Sequence, residues 1–99
     1  MIVNIGLYKG RTTERIPADE VVKAIKEIGG FVEAGRVAQS STEPTFVASV
    51  RGLSDADVYK LAKIFEQEAI AVKDENGGRL IGPKAHLWGS FNEEYFINK

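Results

Sequence analysis

Histidine, serine and glutamate lie close together near the end of the chain, and these residue types can form a nucleophilic catalytic set. His86 is the sole histidine among 99 residues, Ser90 follows four positions later, and Glu93 and Glu94 come shortly after. A serine nucleophile needs a base beside it and an acid that orients the base. However, Ser90 and Glu93 have the S-x-x-E spacing of a helix capping box, which gives both a structural role. We therefore predict no catalytic residue and a protein that is not an enzyme.

Cofactor and metal chemistry finds no support in the sequence. The phosphate-binding, dinucleotide-binding, zinc-protease and serine-hydrolase signatures are all missing from it. The chain has no cysteine, which excludes thiolate metal sites, and its single histidine cannot build a histidine-rich one. Among the carboxylates, Glu68 precedes the apolar run "AIAV" and has the least obvious structural role. We expect no cofactor and no metal.

Three basic side chains are concentrated in "KGRTTER", the loop that follows the first predicted strand. Lys9, Arg11 and Arg15 lie there among two threonines and a glycine. Loops between regular elements often present binding residues, although most such loops are simply solvated. Basic side chains at this place can pair with acidic groups of a partner protein or with a phosphate-bearing ligand.

Aromatic residues are concentrated in the C-terminal stretch "IGPKAHLWGSFNEEYFINK". If the chain is helical from Phe91, then Trp88, Phe91 and Tyr95 are spaced by three and four residues along one stripe. An aromatic patch of this size either covers the sheet as the last piece of core or forms a docking surface. Both alternatives stay open at this point. The predicted partner-binding residues are Lys9, Arg11, Arg15, Trp88, Phe91 and Tyr95.

Charge and hydropathy exclude several classes of partner. The net charge is −1, so bulk electrostatics do not favour nucleic acid, and no glycine-aromatic RNA-binding signature is present. The start "MIVNIGLYKG" has neither a basic leader nor a long apolar block, and no apolar run approaches 18 residues. We expect a cytoplasmic protein that contacts no membrane.

Hydrophobic periodicity predicts one α+β domain over residues 1–99. Strands are predicted in "MIVNIGLYKG", "FVEAGRVAQ" and "TFVASVRG", and helices in "IPADEVVKAIKEIGG" and after Ser54, whose partner in a second capping box is Asp57. "AIAVKDENGGRLIGP" predicts a hairpin with Asn76-Gly77 as its type I′ loop, which places Asp74 opposite Arg79. The order is the ferredoxin-like βαββαβ pattern, an antiparallel sheet with two helices on one face, plus a short extra strand and the aromatic tail. The predicted core is Val3, Ile5, Leu7, Val21, Ile25, Ile28, Phe46, Val50, Val58, Leu61, Phe65, Val72 and Ile81.

The segments "QEAIAV", "LIGPKA" and "WGSFNEEYF" resemble small uncharacterised accessory proteins of bacteriophages and related mobile elements. The resemblance covers about the last third of the chain and brings no active-site residue with it. It implies a protein that binds a host protein, including components of host defence, and inhibits or redirects it. Two alternatives remain beside this protein-binding role: a ferredoxin-like domain that binds a small ligand or nucleotide, and a homodimer that uses the open sheet face.

Overall fold

The chain folds into an α+β domain, as the sequence predicts. The computed structural model describes residues 1–39 and 42–96, with side chains for all of these except Glu94 and Tyr95. The elements in chain order are β1 (Ile2–Gly6), α1 (Ala18–Ile28), β2 (Phe31–Gln39), β3 (Pro44–Arg51), α2 (Asp55–Ile64), β4 (Ile70–Asp74) and β5 (Gly77–Ile81). Two short 3-10 turns follow, at Ala85–Trp88 and Glu93–Phe96.

The five strands form one open antiparallel sheet in the order β2-β3-β1-β4-β5. β1 runs through its middle, where Ile5 lies opposite Phe46 of β3 and Val3 lies opposite Val72 of β4. The predicted four-strand βαββαβ sheet is not matched exactly, because the extra strand joins the same sheet as its fifth member. β2 and β5 are therefore the two edges of the sheet.

Residues at the helix ends explain where α1 begins and ends and where α2 begins. Two acidic residues in the first turn of α1 complement the helix dipole, and Gly29 ends the helix in the left-handed conformation at φ 107°. The α2 capping box is complete: the Asp57 amide donates to Ser54 Oγ at 3.2 Å, and the Ser54 amide donates to Asp57 Oδ2 at 3.0 Å. Within residues 1–39 and 42–96, no helix is both long enough and apolar enough to cross a membrane.

The core lies between the helices and one face of the sheet. Every residue of the predicted core is in it or packed against it; Ile28 and Ile81 are the two that stay partly exposed. Ile16 and Ile70 are also buried in this cluster, although the sequence did not predict them as core. Burial alternates from Ile2 to Ile5 in β1, because successive side chains of a strand point to opposite faces; Gly6, on the open face, is buried as well.

The β4–β5 hairpin has a different register from the predicted one. Asp74 lies opposite Gly77, so the loop is Glu75-Asn76 and Val72 lies opposite Arg79. A type I′ loop needs positive φ at both loop residues, but here the positive φ falls on Gly77 alone, the first residue of β5. The predicted ion pair still forms along a diagonal, with Arg79 donating to both Asp74 oxygens at 3.0 Å.

Candidate functional site

The face of the sheet away from the helices carries small and polar side chains and forms the floor of a groove. The floor residues come from four neighbouring strands: Asn4, Gly6, Thr45, Val47, Ala71 and Leu80. The loop after β1 stands on one side of the groove, and the segment after β5, including Leu87 and Trp88, stands on another. The groove encloses about 860 Å³, which is within the range of roughly 300–1,000 Å³ typical of ligand sites.

Gly6, in the floor of the groove, lies against the side chains of two other lining residues. A Cβ at this position would lie 2.7 Å from Glu43 Oε1 and 2.8 Å from Gln67 Oε1, so only glycine leaves room for these two side chains. We call Glu43 and Gln67 the floor pair. Partial burial raises the pKa of the Glu43 carboxyl, because the ionised form loses hydration there.

Gln67 is held in place by hydrogen bonds from its side-chain amide and from its backbone N–H. Its amide nitrogen Nε2 donates to the carbonyl of Tyr8 at 2.9 Å and to that of Phe65 at 3.1 Å. Its backbone N–H donates to the Ala62 carbonyl at 2.7 Å, which closes the end of α2. Glu66, just before it, adopts the left-handed conformation at φ 53° and so turns the chain towards β1. The strained turn thus aims Gln67 into the groove.

Arg11, Glu68 and Trp88 meet at the rim of the groove, and we call them the rim cluster. Arg11 Nε donates to Glu68 Oε2 at 2.7 Å, and Arg11 Nη2 donates to Glu68 Oε1 at 3.3 Å. The indole Nε1 of Trp88 donates to Glu68 Oε1 at 3.1 Å. Hydrogen bonds from Arg11, and secondarily from Trp88, hold the pKa of the Glu68 carboxyl below its usual range. The basic loop and the aromatic tail are therefore joined through one carboxylate.

Backbone packing fixes Glu68 at this position. A Cβ on Gly82 would lie only 2.7 Å from the Ala69 Cα, so the chain after β5 passes directly against the residues that follow α2. The N–H of Lys84 donates to the Glu68 carbonyl at 3.0 Å and ties the two segments further. As a result, the segment that carries Trp88 begins beside Glu68.

The aromatic tail has one residue packed on the sheet and one exposed at the groove. The Phe91 ring lies against Gly78 of β5, where a Cβ would overlap it, and its centroid is 5.7 Å from that of Phe96. Trp88, in contrast, is 47% exposed at the groove. Phe91 thus covers the β5 end of the open face and leaves Trp88 beside the uncovered part.

The predicted capping box of Ser90 and Glu93 is wrong. The chain is not helical from Phe91; a 3-10 turn begins at Glu93 instead. The Glu93 carboxylate accepts from Lys73 Nζ at 2.7 Å. This pairing links the tail to β4.

The structure places the six predicted partner-binding residues in different surroundings. Arg11 and Trp88 come together in the rim cluster, while Lys9 pairs with Glu66 at 3.2 Å below the same loop. Arg15 is exposed and forms a backbone bridge with Tyr8. Phe91 packs on β5, and the side chain of Tyr95 lies outside the described residues.

The floor pair was not predicted from the sequence. Glu43 lies in "SSTEP", which is typical of a solvated loop, and Gln67 was noted only as the first residue of the segment "QEAIAV", with no role of its own. The available signal was Gly6, a glycine inside an alternating strand, because such a position often marks the close approach of another group.

The arrangement is suited to binding, and its described residues include no metal site. No group of three or more histidine or acidic side chains in residues 1–39 and 42–96 is placed to hold an ion. His86 is exposed in the 3-10 turn Ala85–Trp88. Comparison with known proteins gives no match from protein-family models, curated proteins or solved structures.

Proposed function

We propose that this protein is a non-enzymatic binding domain that holds a segment of a partner protein in the groove of its open sheet face. The observation that carries this proposal is the rim cluster. The two segments with the least structural explanation in the sequence, the basic loop and the aromatic tail, flank one groove and meet at Glu68. A half-exposed tryptophan beside a concave surface is a typical interface anchor.

The fold proposed for this domain is a ferredoxin-like one with an added edge strand. The element order supports it, because β1 lies between β3 and β4 and each helix connects strands that are not neighbours. In this arrangement both helices cover one face and the second face stays available. β5 and the tail narrow that second face into a groove.

A partner protein is favoured over a nucleotide by the charges at the groove. Glu43 and Glu68 line it, and Arg11 is already paired with Glu68. Phosphate groups would approach two carboxylates with no unpaired arginine among the described lining residues. Inhibition of a host protein, which the resemblance implies, is one form that such binding takes; it rests on the resemblance alone.

The test is selection of ligands from a displayed peptide library on the purified protein, followed by binding kinetics on variants. Trp88→Ala should raise the dissociation rate by about tenfold or more, because it removes a contact anchor. Arg11→Glu should weaken binding by placing a second carboxylate beside Glu68. The matched controls are Tyr59→Ala and Lys23→Glu, which change exposed residues of α2 and α1 away from the groove.

Each variant must first show the far-ultraviolet circular dichroism of the wild type. Selected ligands that bind all four variants equally would place the binding surface elsewhere. A ligand set dominated by the protein's own sequence, together with a doubled mass in ultracentrifugation, would replace the proposal by a homodimer.

A further inference from the structure

We propose that β2 pairs with the β2 strand of a second copy of this chain, so that the two sheets join edge to edge into one antiparallel sheet. This inference is independent of the proposed function, because it concerns the edge of the sheet and not its open face. In the sheet order, β2 has β3 on one side and, within residues 1–39 and 42–96, no strand on the other. The backbone N–H and C=O groups on the outer side of an edge strand are a template for a further strand.

The two edges of the sheet differ in length and in what lies against them. β5 has five residues, and the Phe91 ring packs on its Gly78. β2 has nine residues and is the longest strand of the described sheet. Proteins commonly protect an edge with proline, lysine, a bulge or a short strand. Of these devices β2 has only a bulge, between Val32 and Ala34, and residues 34–39 beyond it keep an unbroken register with β3.

The unbroken part of β2 exposes apolar surface on the helix side of the sheet. Val37 lies opposite the core residue Phe46, so its side chain is on the helix-covered face, yet it is 51% exposed. Gly35, opposite the buried Ala48, lies on the same face and is exposed as well. The helices of the chain therefore leave this edge uncovered, and a strand laid beside β2 would cover it.

The pleat of the sheet limits the registers in which two β2 strands can pair. Directly opposite residues of an antiparallel pair lie on the same face, so a symmetric pair is centred on a residue that faces its own copy. A centre at Arg36 would place like charges directly opposite each other, which is unfavourable. A centre at Val37 places two valines opposite each other and Arg36 opposite Ala38. The unbroken part of β2 is self-complementary in this second register.

A second copy is favoured over a flexible segment of another protein by the entropy of binding. A flexible segment loses conformational freedom when it becomes a strand, whereas each β2 is already held extended by its own sheet. In the joined sheet the helices of both copies lie on one face and both open faces lie on the other. The groove of each copy therefore stays uncovered.

The experiment is sedimentation of the full chain from about 10 µM to about 1 mM, which should show a reversible dimer. Val37→Glu should weaken the dimer by about tenfold or more, since it removes the valine contact and places two carboxylates opposite each other. Val37→Ile should retain the dimer. Ile64→Glu adds the same charge at a 55% exposed site on α2 and should sediment as the wild type. Each variant must first show the far-ultraviolet circular dichroism of the wild type.

Single cysteines test the register, because the chain has no cysteine of its own. Under oxidation by copper phenanthroline, Val37→Cys should form a disulfide-linked dimer, since directly opposite Cβ atoms approach to about 5 Å. Arg36→Cys should link far less, because it faces its own copy only in the unfavourable register. Tyr59→Cys, at an exposed site on α2, measures linkage by random collision.

Three outcomes would overturn the inference: the mass of one chain at every concentration, a dimer that Val37→Glu and Ile64→Glu weaken equally, and linkage of Arg36→Cys in preference to Val37→Cys. A chain that stays monomeric while library peptides shift the amide resonances of β2 would assign this edge to a strand of another protein, which also overturns it. The proposed function is tested separately, since Val37→Glu should leave the affinity for groove-bound peptides unchanged.

Discussion

The two faces of the five-stranded sheet differ in what covers them: the helices pack on one face, and the other forms the floor of the groove. On the helix-covered face, Val3, Ile5 and Leu7 are fully buried with side chains from α1 and α2. On the open face, the alternate residues of the same strand are Asn4 and Gly6, which line the groove. One face buries apolar area, which is the main source of stability. The other face carries smaller and more polar groups, such as Asn4, Gly6 and Thr45, and these line the groove proposed to bind a partner.

This difference implies that stability and binding can be changed separately. Substitutions towards the helices should alter the free energy of unfolding, whereas substitutions in the groove should alter ligand binding at nearly constant stability. Substitutions with large, intermediate and small expected effects on stability test that separation.

The largest effect is expected for Leu61→Ala. Leu61 is 0% exposed in the core, and its truncation should lower the free energy of unfolding by about 2–5 kcal/mol, because it leaves a cavity. Urea denaturation measures this change. Leu87→Ala is the matched control on the groove side, since Leu87 is 61% exposed; its loss should stay below about 1 kcal/mol. Equal losses in the two variants would remove the distinction between the faces.

An intermediate effect is expected from alanine at two glycines of the groove side. At Gly82 a Cβ meets backbone of Glu68 and Ala69, whereas at Gly6 it meets only the ends of two side chains. Gly82→Ala should therefore cost about 1–3 kcal/mol, since backbone must move, and Gly6→Ala should cost less.

Gly6→Ala should in turn impair binding more than stability, because it displaces the floor pair. The contrast is measured by urea denaturation and by the affinity of both variants for a peptide selected from the displayed library. A Gly6→Ala protein that unfolds more easily than Gly82→Ala would show that the floor pair is rigid and structural.

The sequence predicted the helix-covered face much better than the open one. Its apolar residues recur with the periods of strand and helix, so Val3, Ile25 and Leu61 identify the buried side without knowledge of the fold. The groove depends on contacts between residues far apart in the chain, such as Arg11 with Glu68. Neither hydrophobic periodicity nor a sequence motif predicts such a contact. Glu68 was noticed only because nothing local explained it.

A smaller effect, dependent on pH, is expected for Arg79→Gln. Arg79 faces α2 and pairs with Asp55 at 2.7 Å and with Asp74 at 3.0 Å. Its hydrogen bonds lower the pKa of both carboxyls. A carboxylate whose pKa is lower in the folded chain stabilises the fold above its unfolded pKa of about 3.9. That contribution disappears as the pH falls through the folded value.

The urea midpoint of Arg79→Gln should therefore lie below that of the wild type at pH 7 and approach it at pH 2–3. Arg15→Gln, which removes an exposed positive charge outside this cluster, serves as the control and should follow the wild type at every pH. A deficit in Arg79→Gln that is constant with pH would mean that packing of the arginine stem, rather than its ion pairs, stabilises the hairpin.

The smallest effect is expected for Glu43→Gln, and it has the opposite sign. Because burial raises the pKa of Glu43, the ionised form destabilises the folded chain as the pH rises through that value. Glutamine does not ionise, so the variant should be more stable than the wild type by on the order of 0.5 kcal/mol at pH 7. The gain should vanish below about pH 4. Denaturant midpoints from pH 3 to 8 decide this, and a loss of stability at pH 7 would place Glu43 among the structural residues.

The β4–β5 hairpin is an element whose strand register could not be predicted from its turn sequence alone. Asn76-Gly77 is the strongest short hairpin signal, yet the loop is Glu75-Asn76, one residue earlier. In the observed register, Arg79 donates to Asp55 of α2 as well as to Asp74. A tertiary ion cluster therefore accompanies a register that the turn sequence alone does not predict.

The position of Trp88 has a further consequence for spectroscopy. It is the sole tryptophan of the chain, and its indole lies at the groove in contact with the Glu68 carboxylate. Its fluorescence should therefore report on the site rather than on the core. Emission should change on occupancy of the groove, even when the ligand carries no chromophore. Unfolding should change it only modestly, because the indole is already 47% exposed in the folded chain.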